Sequence, residues 1–288
     1  MDLFISQALN GFVYGVLLFL LAAGLSLIFG LMGVVNLAHG SFFMLGAFVG
    51  LSIAKATGSF WWAVLLAPIP VALAAVVIEV VFMRQLYRRG RLDQVLLTFG
   101  FSFVFTDLVE TVWGKDNFNI PEPAALENSI ELLGGFYPSY RLALLGFGLV
   151  AALVLWIIID RTRAGAMVRA AVDDSSTAMG IGLNVPLLLT TTFAAGAALA
   201  ALAGVVAGPI LGVYSGIDVE VLIPAFIVIV VGGMGSLKGA FVGSLVIGIA
   251  DTLGKAYLPE MAMFLIYLAM ILILLVRPAG LFGQVQTR

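Results

Sequence analysis

The chain contains no cysteine and a single histidine, His39, in 288 residues. Disulfides and thiolate metal sites are thereby excluded, and so is any multi-histidine metal cluster. Charge is equally scarce: only 10% of the residues are Asp, Glu, Lys or Arg, against about 25% in a soluble domain. That is too little polar material to cover a surface in water. The net charge of −2 supplies no basic field, so nucleic acid is excluded as a partner. No G-x-x-x-x-G-K-S/T stretch cradles a phosphate, and no H-E-x-x-H occurs. The one histidine stands in a glycine-rich stretch without a nucleophile beside it, so a Ser-His-Asp arrangement is not available. We expect neither an enzyme nor a protein that depends on a metal or cofactor.

Apolar sequence is what the chain has in quantity. It is 62% hydrophobic, with a mean hydropathy of +1.16, and its outside must be buried in lipid. A helix crossing a bilayer needs about 20 apolar residues. Candidate segments are 8–32, 41–54, 61–83, 95–112, 141–159, 186–206, 221–235, 239–257 and 260–276. Segments 41–54 and 221–235 are short, as tilted, re-entrant or broken helices would be. The expected class is an all-α polytopic membrane protein, with eight to nine transmembrane or broken helices in one domain, 1–288. Met1-Asp2-Leu3-Phe4 puts no basic residue ahead of the first run. That run is therefore expected to be retained as a membrane helix and not cleaved as a secretion signal.

Lys and Arg in short loops set orientation. If the segments alternate, Arg84, Arg88, Arg89, Arg91, Arg161, Arg163, Arg169, Lys238, Arg277 and Arg288 share one side. The connection 113–140 falls opposite and is acidic, with Asp116, Glu122, Glu127 and Glu131 against Lys115. Its prolines suggest a structured external loop, either a plain link or a dock for an external partner. The N-terminus is then outside, and the C-terminus and residues 160–184 are cytoplasmic. Segment 160–184 is a polar, small-residue-rich insert between two apolar runs. Its composition suits a short helix lying across a membrane face and offered to a cytosolic partner.

Acidic residues inside apolar runs are Glu79, Asp107, Glu110 and Asp251, each costing roughly 2.5–3.5 kcal/mol at a helix centre. Glu79 lies near Arg84, Asp107 and Glu110 lie near an outer helix end, and Asp251 precedes Lys255 by four residues, a pairing distance on one helix face. Pairing accounts for them better than a proton relay does. This counts against a stand-alone secondary transporter or channel for a small polar solute, the main rival reading. A purely structural scaffold, the second rival, would not need polar residues beside glycine-rich helix breaks.

Two such breaks look alike: Gly30-Leu31-Met32-Gly33, followed by Asn36 to Ser41, and Gly232-Gly233-Met234-Gly235. Either they mark an internal repeat, as in transporters with broken helices, or glycine abundance supplies the match. Asn36, His39, Gly40, Ser41, Gly233 and Gly235 are the candidate residues of a solute path. Free N–H groups near Ser41 could face a polar solute. The alternative is a cytoplasmic turn with capping duties, and His39 alone reads as a structural hydrogen-bonding residue.

The stretch Gly24-Leu25-Ser26-Leu27-Ile28-Phe29-Gly30 through Asn36-Leu37-Ala38-His39-Gly40 resembles the N-terminal signature of branched-chain amino acid ABC importer permeases. Arg169-Ala170-Ala171 to Asp174, with Ala178-Met179-Gly180-Ile181, is similar to that family's cytoplasmic coupling segment. Thr192 to Ala200, Val231 to Ser236 and the terminal Arg277-Pro278-Ala279-Gly280-Leu281-Phe282-Gly283 fit as well. The chain looks more like the LivH-type half than its longer sister permease. The resemblance implies an ABC importer permease fold in a bacterial inner membrane. It also implies two cytoplasmic ATP-binding subunits, a sister permease and a periplasmic solute-binding protein. Arg169, Ala171, Asp173, Asp174, Ala178 and Gly180 would serve ATPase coupling, on a short helix around Val172–Met179. The implied solute is a branched-chain or other hydrophobic amino acid, with urea, amides and aromatic acids as the family's alternatives.

Overall fold

A computed structural model describes residues 3–87, 89–132 and 134–283. Met1, Asp2, Arg88 and Arg288 lie outside the described residues. The fold is built on α1 (Leu3–Met32), α2 (His39–Thr57), α6 (Arg91–Trp113), α7 (Ser139–Arg161), α10 (Val185–Leu211), α12 (Leu237–Tyr257) and α13 (Ala262–Val276). The third crossing, Phe60–Leu86, is a composite of α3 (Phe60–Leu66), α4 (Pro68–Ile78), a π-helical turn at Glu79–Met83 and α5 (Arg84–Leu86). Pro68 and Pro70 are tolerated because Pro68 opens a new helical turn, where a missing N–H costs nothing.

Among the described residues, eight helices are long and apolar enough to cross a membrane. The ninth segment, α11 (Ile217–Gly232), has 16 residues, about 24 Å of helix, yet it still joins the two faces. α10 ends beside the 113–140 connection, where Phe118 and Val213 exchange backbone hydrogen bonds and Ser215 bonds Glu110. α12 begins at the opposite face, where Lys238 pairs with Asp160 at the end of α7. A chain that leaves one face and starts again at the other has crossed. The same contacts sort the charges. Arg84 (bonded to Thr190 at the start of α10), Arg169 and Lys238 lie at one face. Asn10, Tyr137, Arg141 and Lys115 lie at the other.

α1 is the centre of the bundle, with 78% of its most apolar window buried, against 17% for α6 and α7 and 11% for the span that ends in α13. It lies antiparallel to α12 through Gly11 and Gly15, where a Cβ on Gly15 would sit 2.8 Å from the Ser244 carbonyl oxygen. Gly24 meets Gly196 of α10 in the same way. In lipid there is no hydrophobic gain from joining helices, so close van der Waals approach over small residues holds the bundle.

The described 113–140 connection is not wholly irregular. Strands β1 (Ser129–Leu132) and β2 (Gly135–Pro138) form an antiparallel hairpin with Ile130 opposite Tyr137. It is pinned to the bundle by the Tyr137 hydroxyl, which donates to Asn10 Oδ1 at 2.9 Å. The two look-alike breaks touch: a Cβ on Gly30 would lie 3.2 Å from Gly235 Cα.

Candidate functional site

At the first break α1 ends on Gly33, whose φ of 64° gives the left-handed stop that helix C-termini favour. The chain then turns back into the protein. His39 Nε2 lies 3.0 Å from the carbonyl oxygen of Leu21, which is about 16 Å up α1 from its end at 1.5 Å rise per residue. Phe42 packs edge-on against Phe193, well inside α10. The break is therefore re-entrant into the bundle, not a surface turn. Irregular backbone at that depth must be satisfied by protein, and here it is. Asn36 Oδ1 accepts from the Ala38 N–H at 3.1 Å, and Thr98 Oγ1 of α6 accepts from the Leu37 N–H at 3.1 Å.

Asn36, His39 and Ser41 are 0% exposed, and Gly40 is buried with them. The first turn of α2 abuts the first turn of α11. Ser41 Oγ donates to Asp218 Oδ2 at 3.0 Å, and a Cβ on Gly40 would meet the backbone of Asp218 and, at 3.1 Å, Leu222 Cβ. Asn36 Nδ2, His39 Nδ1 and Asp218 Oδ1 are buried and make no hydrogen bond within the protein, although buried polar atoms are normally paired. Unspent polar atoms thus lie in the break before α2 and in the first turns of α2 and α11, and in this conformation Asn36, His39, Ser41 and Asp218 are closed to solvent.

Gly233 and Gly235 do not join that group. They form the turn at the opposite end of α11, with φ of 103° and 81°. The C-terminal stretch closes over Gly233: the Leu281 and Phe282 N–H groups donate to the Val231 and Gly232 carbonyls at 2.8 and 2.9 Å. Those carbonyls are the orphan acceptors of a helix end.

The polar insert folds as two helices, α8 (Arg163–Asp173) and α9 (Ser175–Gly180), and not as one helix over Val172–Met179. The break is at Asp174, which is extended (φ −154°, ψ 99°) and caps α9. Its Oδ1 accepts from the Ser176 and Thr177 N–H groups at 2.9 and 3.0 Å, and the two hydroxyls add further bonds. Hydrogen bonds from the Thr177 and Ser176 hydroxyls, with the two amides, hold the Asp174 carboxyl well below the usual aspartate range. Arg169 faces home: it donates to the Ile159 carbonyl and lies 3.9 Å from Asp160. Ala171 and Ala178 are buried against Val185, with Leu31 of α1 packed on them. Asp173 and Gly180 are exposed. Next to them in the chain stand the apolar residues Val172, Met179 and Ile181, 45%, 52% and 72% exposed. This apolar crest carries no sequence periodicity, since it straddles the break.

The family described as "Branched-chain amino acid transport system / permease component" matches residues 7–274. The chain belongs to that family. LivH of Escherichia coli K12, a high-affinity branched-chain amino acid transport system permease protein, is 32% identical over 98% of this chain and 96% of its own. BraD of Pseudomonas aeruginosa is 31% identical over the same shares. A probable LivH of Methanocaldococcus jannaschii is 26% identical over 94% and 90%. Among solved structures, PsaBC from Streptococcus pneumoniae in complex with Fab matches in fold, with a TM-score of 0.50 and 16% identity over 96% of this permease and 91% of that chain.

Thr98 and Asp218 of the permease escape a sequence search. Asp218 sits just ahead of the apolar run that begins near Val221, so it reads as a loop residue. Its burial of 3% exposed follows only from α11 starting deep in the fold.

Proposed function

We propose that this chain is the membrane permease subunit of an ATP-driven importer that translocates a branched-chain or other hydrophobic amino acid. An external binding protein delivers the solute, and two cytoplasmic ATP-binding subunits and a sister permease complete the assembly. The basic face with α8 and α9 is cytoplasmic, and the hairpin face is external, as the distribution of Lys and Arg favours. The observation that carries the reading is the crest of Val172, Met179 and Ile181. A segment anchored by Ala171 and Ala178 to the end of α1 turns apolar side chains outward, where a protein partner can cover them.

The mechanism follows from that anchorage. Leu31 packs beneath the crest, and two residues later α1 ends in the re-entrant break. A displacement of α8 and α9 acts on the hinge at Gly33 and so on the sealed junction of α2 with α11. ATP can shift this equilibrium only through contacts that differ between the closed and open states. When the junction opens, Asn36 Nδ2, His39 Nδ1 and Asp218 Oδ1 offer weak polar partners along an otherwise apolar route.

Reconstitution of the full complex in proteoliposomes tests the reading. ATP-dependent accumulation of leucine, isoleucine or valine, lost with a hydrolysis-dead ATPase, is the expected result. Solute movement by this chain alone without ATP, or uptake of urea, amides or aromatic acids but not of these amino acids, would reject it.

A further inference from the structure

A cavity of about 370 Å³ opens at the hairpin face between α1, α7, α10 and α12, away from the α2–α11 junction. Its size falls in the range of small-molecule sites. Two charged clusters line it. At one, Arg141 donates to Asn10 Oδ1 at 2.5 Å, and the rest of its planar fork of N–H groups has no carboxylate partner among the described residues. At the other, Asp251 is held by Lys255 through one oxygen, Oδ2, at 2.6 Å, with the Lys255 ammonium 5.5 Å from the centre of the Tyr14 ring. Asn10 and Tyr14 are one turn apart on α1, about 5–6 Å between Cβ atoms. The two clusters therefore reach α1 within one helical turn of each other. Val13, Leu17, Ile210 and Leu211 supply an apolar wall.

We infer that this cavity is an outer holding site for a zwitterionic amino acid with an aliphatic side chain. Arg141 takes the carboxylate, the free oxygen of Asp251 takes the ammonium, and the Val13–Leu17–Ile210–Leu211 wall takes the side chain. A fork of guanidinium N–H groups matches a carboxylate bidentately. The Arg141 cluster is tied to the hairpin through Asn10, which also accepts from Tyr137, so the site lies where an externally delivered solute would first meet the protein. The inference rests on the amino-acid reading above.

The test measures binding of tritiated leucine to the full complex in nanodiscs, with the binding protein omitted. Leucinol, which lacks the carboxylate, and 4-methylpentanoate, which lacks the ammonium, serve as competitors. Wild type should bind leucine saturably at millimolar concentration or better, and each analogue about tenfold more weakly, the scale of one charge-assisted hydrogen bond. Arg141→Gln should abolish the preference for leucine over leucinol while leaving leucinol binding in place. Asp251→Asn should do the same for the preference over 4-methylpentanoate. Such selective losses cannot come from misfolding. Leu211→Trp, which fills the cavity, should remove binding of all three. Unchanged preferences in both charge variants, or no saturable binding by wild type, would overturn the inference. So would leucine binding seen only in nanodiscs free of phosphatidylethanolamine, which would give the cavity to a lipid headgroup. ATP-driven leucine uptake judges the functional reading separately: uptake with unchanged preferences removes the holding site alone.

Discussion

Ser41 Oγ donates a 3.0 Å hydrogen bond to Asp218 Oδ2, joining the first turns of α2 and α11 where neither residue is more than 3% exposed. The helix dipole of α11 favours a carboxylate in its first turn, but Ser41 is its one side-chain donor among the described residues. Ser41→Ala should therefore destabilise the complex by about 1–3 kcal/mol, because it leaves a buried acceptor unpaired. Asp218→Asn, whose amide oxygen can still accept from Ser41, should cost less. Thermal denaturation of the purified complex gives the order; equal melting of wild type and Ser41→Ala would mean that the bond does not hold the junction.

Glu79 is fully buried in the π-helical turn of the third crossing and accepts from Tyr87 at 2.8 Å, from Thr190 at 2.5 Å and from Arg84 at 3.2 Å. Thr190 belongs to α10 just after the polar insert, so the network ties that helix to the third crossing. Removing the two partners is not symmetric. Arg84 is 41% exposed and Glu79 is 0% exposed. Glu79→Gln lets Arg84 turn to water, whereas Arg84→Met strands a buried carboxylate with only two hydroxyls. Breaking a buried pair in that way costs about 3–5 kcal/mol where no other donor remains; with Tyr87 and Thr190 still bonded, about 2 kcal/mol is expected. Arg84→Met should lower the melting temperature more than Glu79→Gln, and the opposite order would count against this account.

The two acidic residues of the polar insert do different work. Asp174 caps α9 and Asp173 is exposed at the end of α8. Asp174→Ala should loosen α9 and cut ATP-driven uptake by about tenfold, whereas Asp174→Asn, also a good cap, should stay near wild type. A group whose folded pKa is depressed stabilises above its unfolded value, about 3.9 for aspartate, and loses that contribution as pH falls through the folded value. The Asp174 carboxyl is depressed, so it should contribute no pH dependence to uptake between about pH 5 and 8. On the crest, Val172→Glu or Ile181→Glu should abolish ATP-driven uptake without lowering the amount of permease in the membrane. Undiminished uptake in both would remove the crest as the ATPase contact.

The span pattern was open to a sequence reader because lipid demands long apolar runs; of the two runs expected to be short, 221–235 falls in the 16-residue α11, whereas 41–54 lies inside the 19-residue span His39–Thr57. The re-entrant depth of Asn36 to Ser41 was not. The same glycine, asparagine and serine residues build a surface turn or a deep one, and only the partners Leu21, Thr98 and Phe193 decide between them. For the same reason Gly233 and Gly235 looked like the twins of Gly30 and Gly33, yet pack under the C-terminal stretch and against Gly30. The crest at Val172, Met179 and Ile181 was hidden by the kink at Asp174, which breaks any helical period.

Gly235 has φ of 81°, and a Cβ there would lie 3.0 Å from Gly30 Cα. Gly235→Ala must bear both a left-handed backbone, about 1–2 kcal/mol for an L-residue, and a contact with backbone that cannot rotate away. Gly90, with φ of −64° and open space around the would-be Cβ, is the matched control. Gly235→Ala should melt several degrees below wild type and Gly90→Ala should not, as read by thermal denaturation; equal melting of the two would show that the Gly30–Gly235 contact is loose.

The absence of cysteine makes the sidedness directly measurable, because any introduced thiol is the only one. Phe136 on the hairpin is 77% exposed and Ile181 beyond α9 is 72% exposed, so neither substitution disturbs packing and both thiols are reachable. The contacts of Asn10 with Tyr137 and of Lys238 with Asp160 put the two positions on opposite faces. A membrane-impermeant maleimide added to intact cells that express the permease without its ATP-binding subunits should label Phe136→Cys and leave Ile181→Cys untouched until the membrane is opened. Labelling of Ile181→Cys from outside would invert the topology, and with it the side from which ATP acts: a crest on the external face could meet no cytoplasmic ATPase.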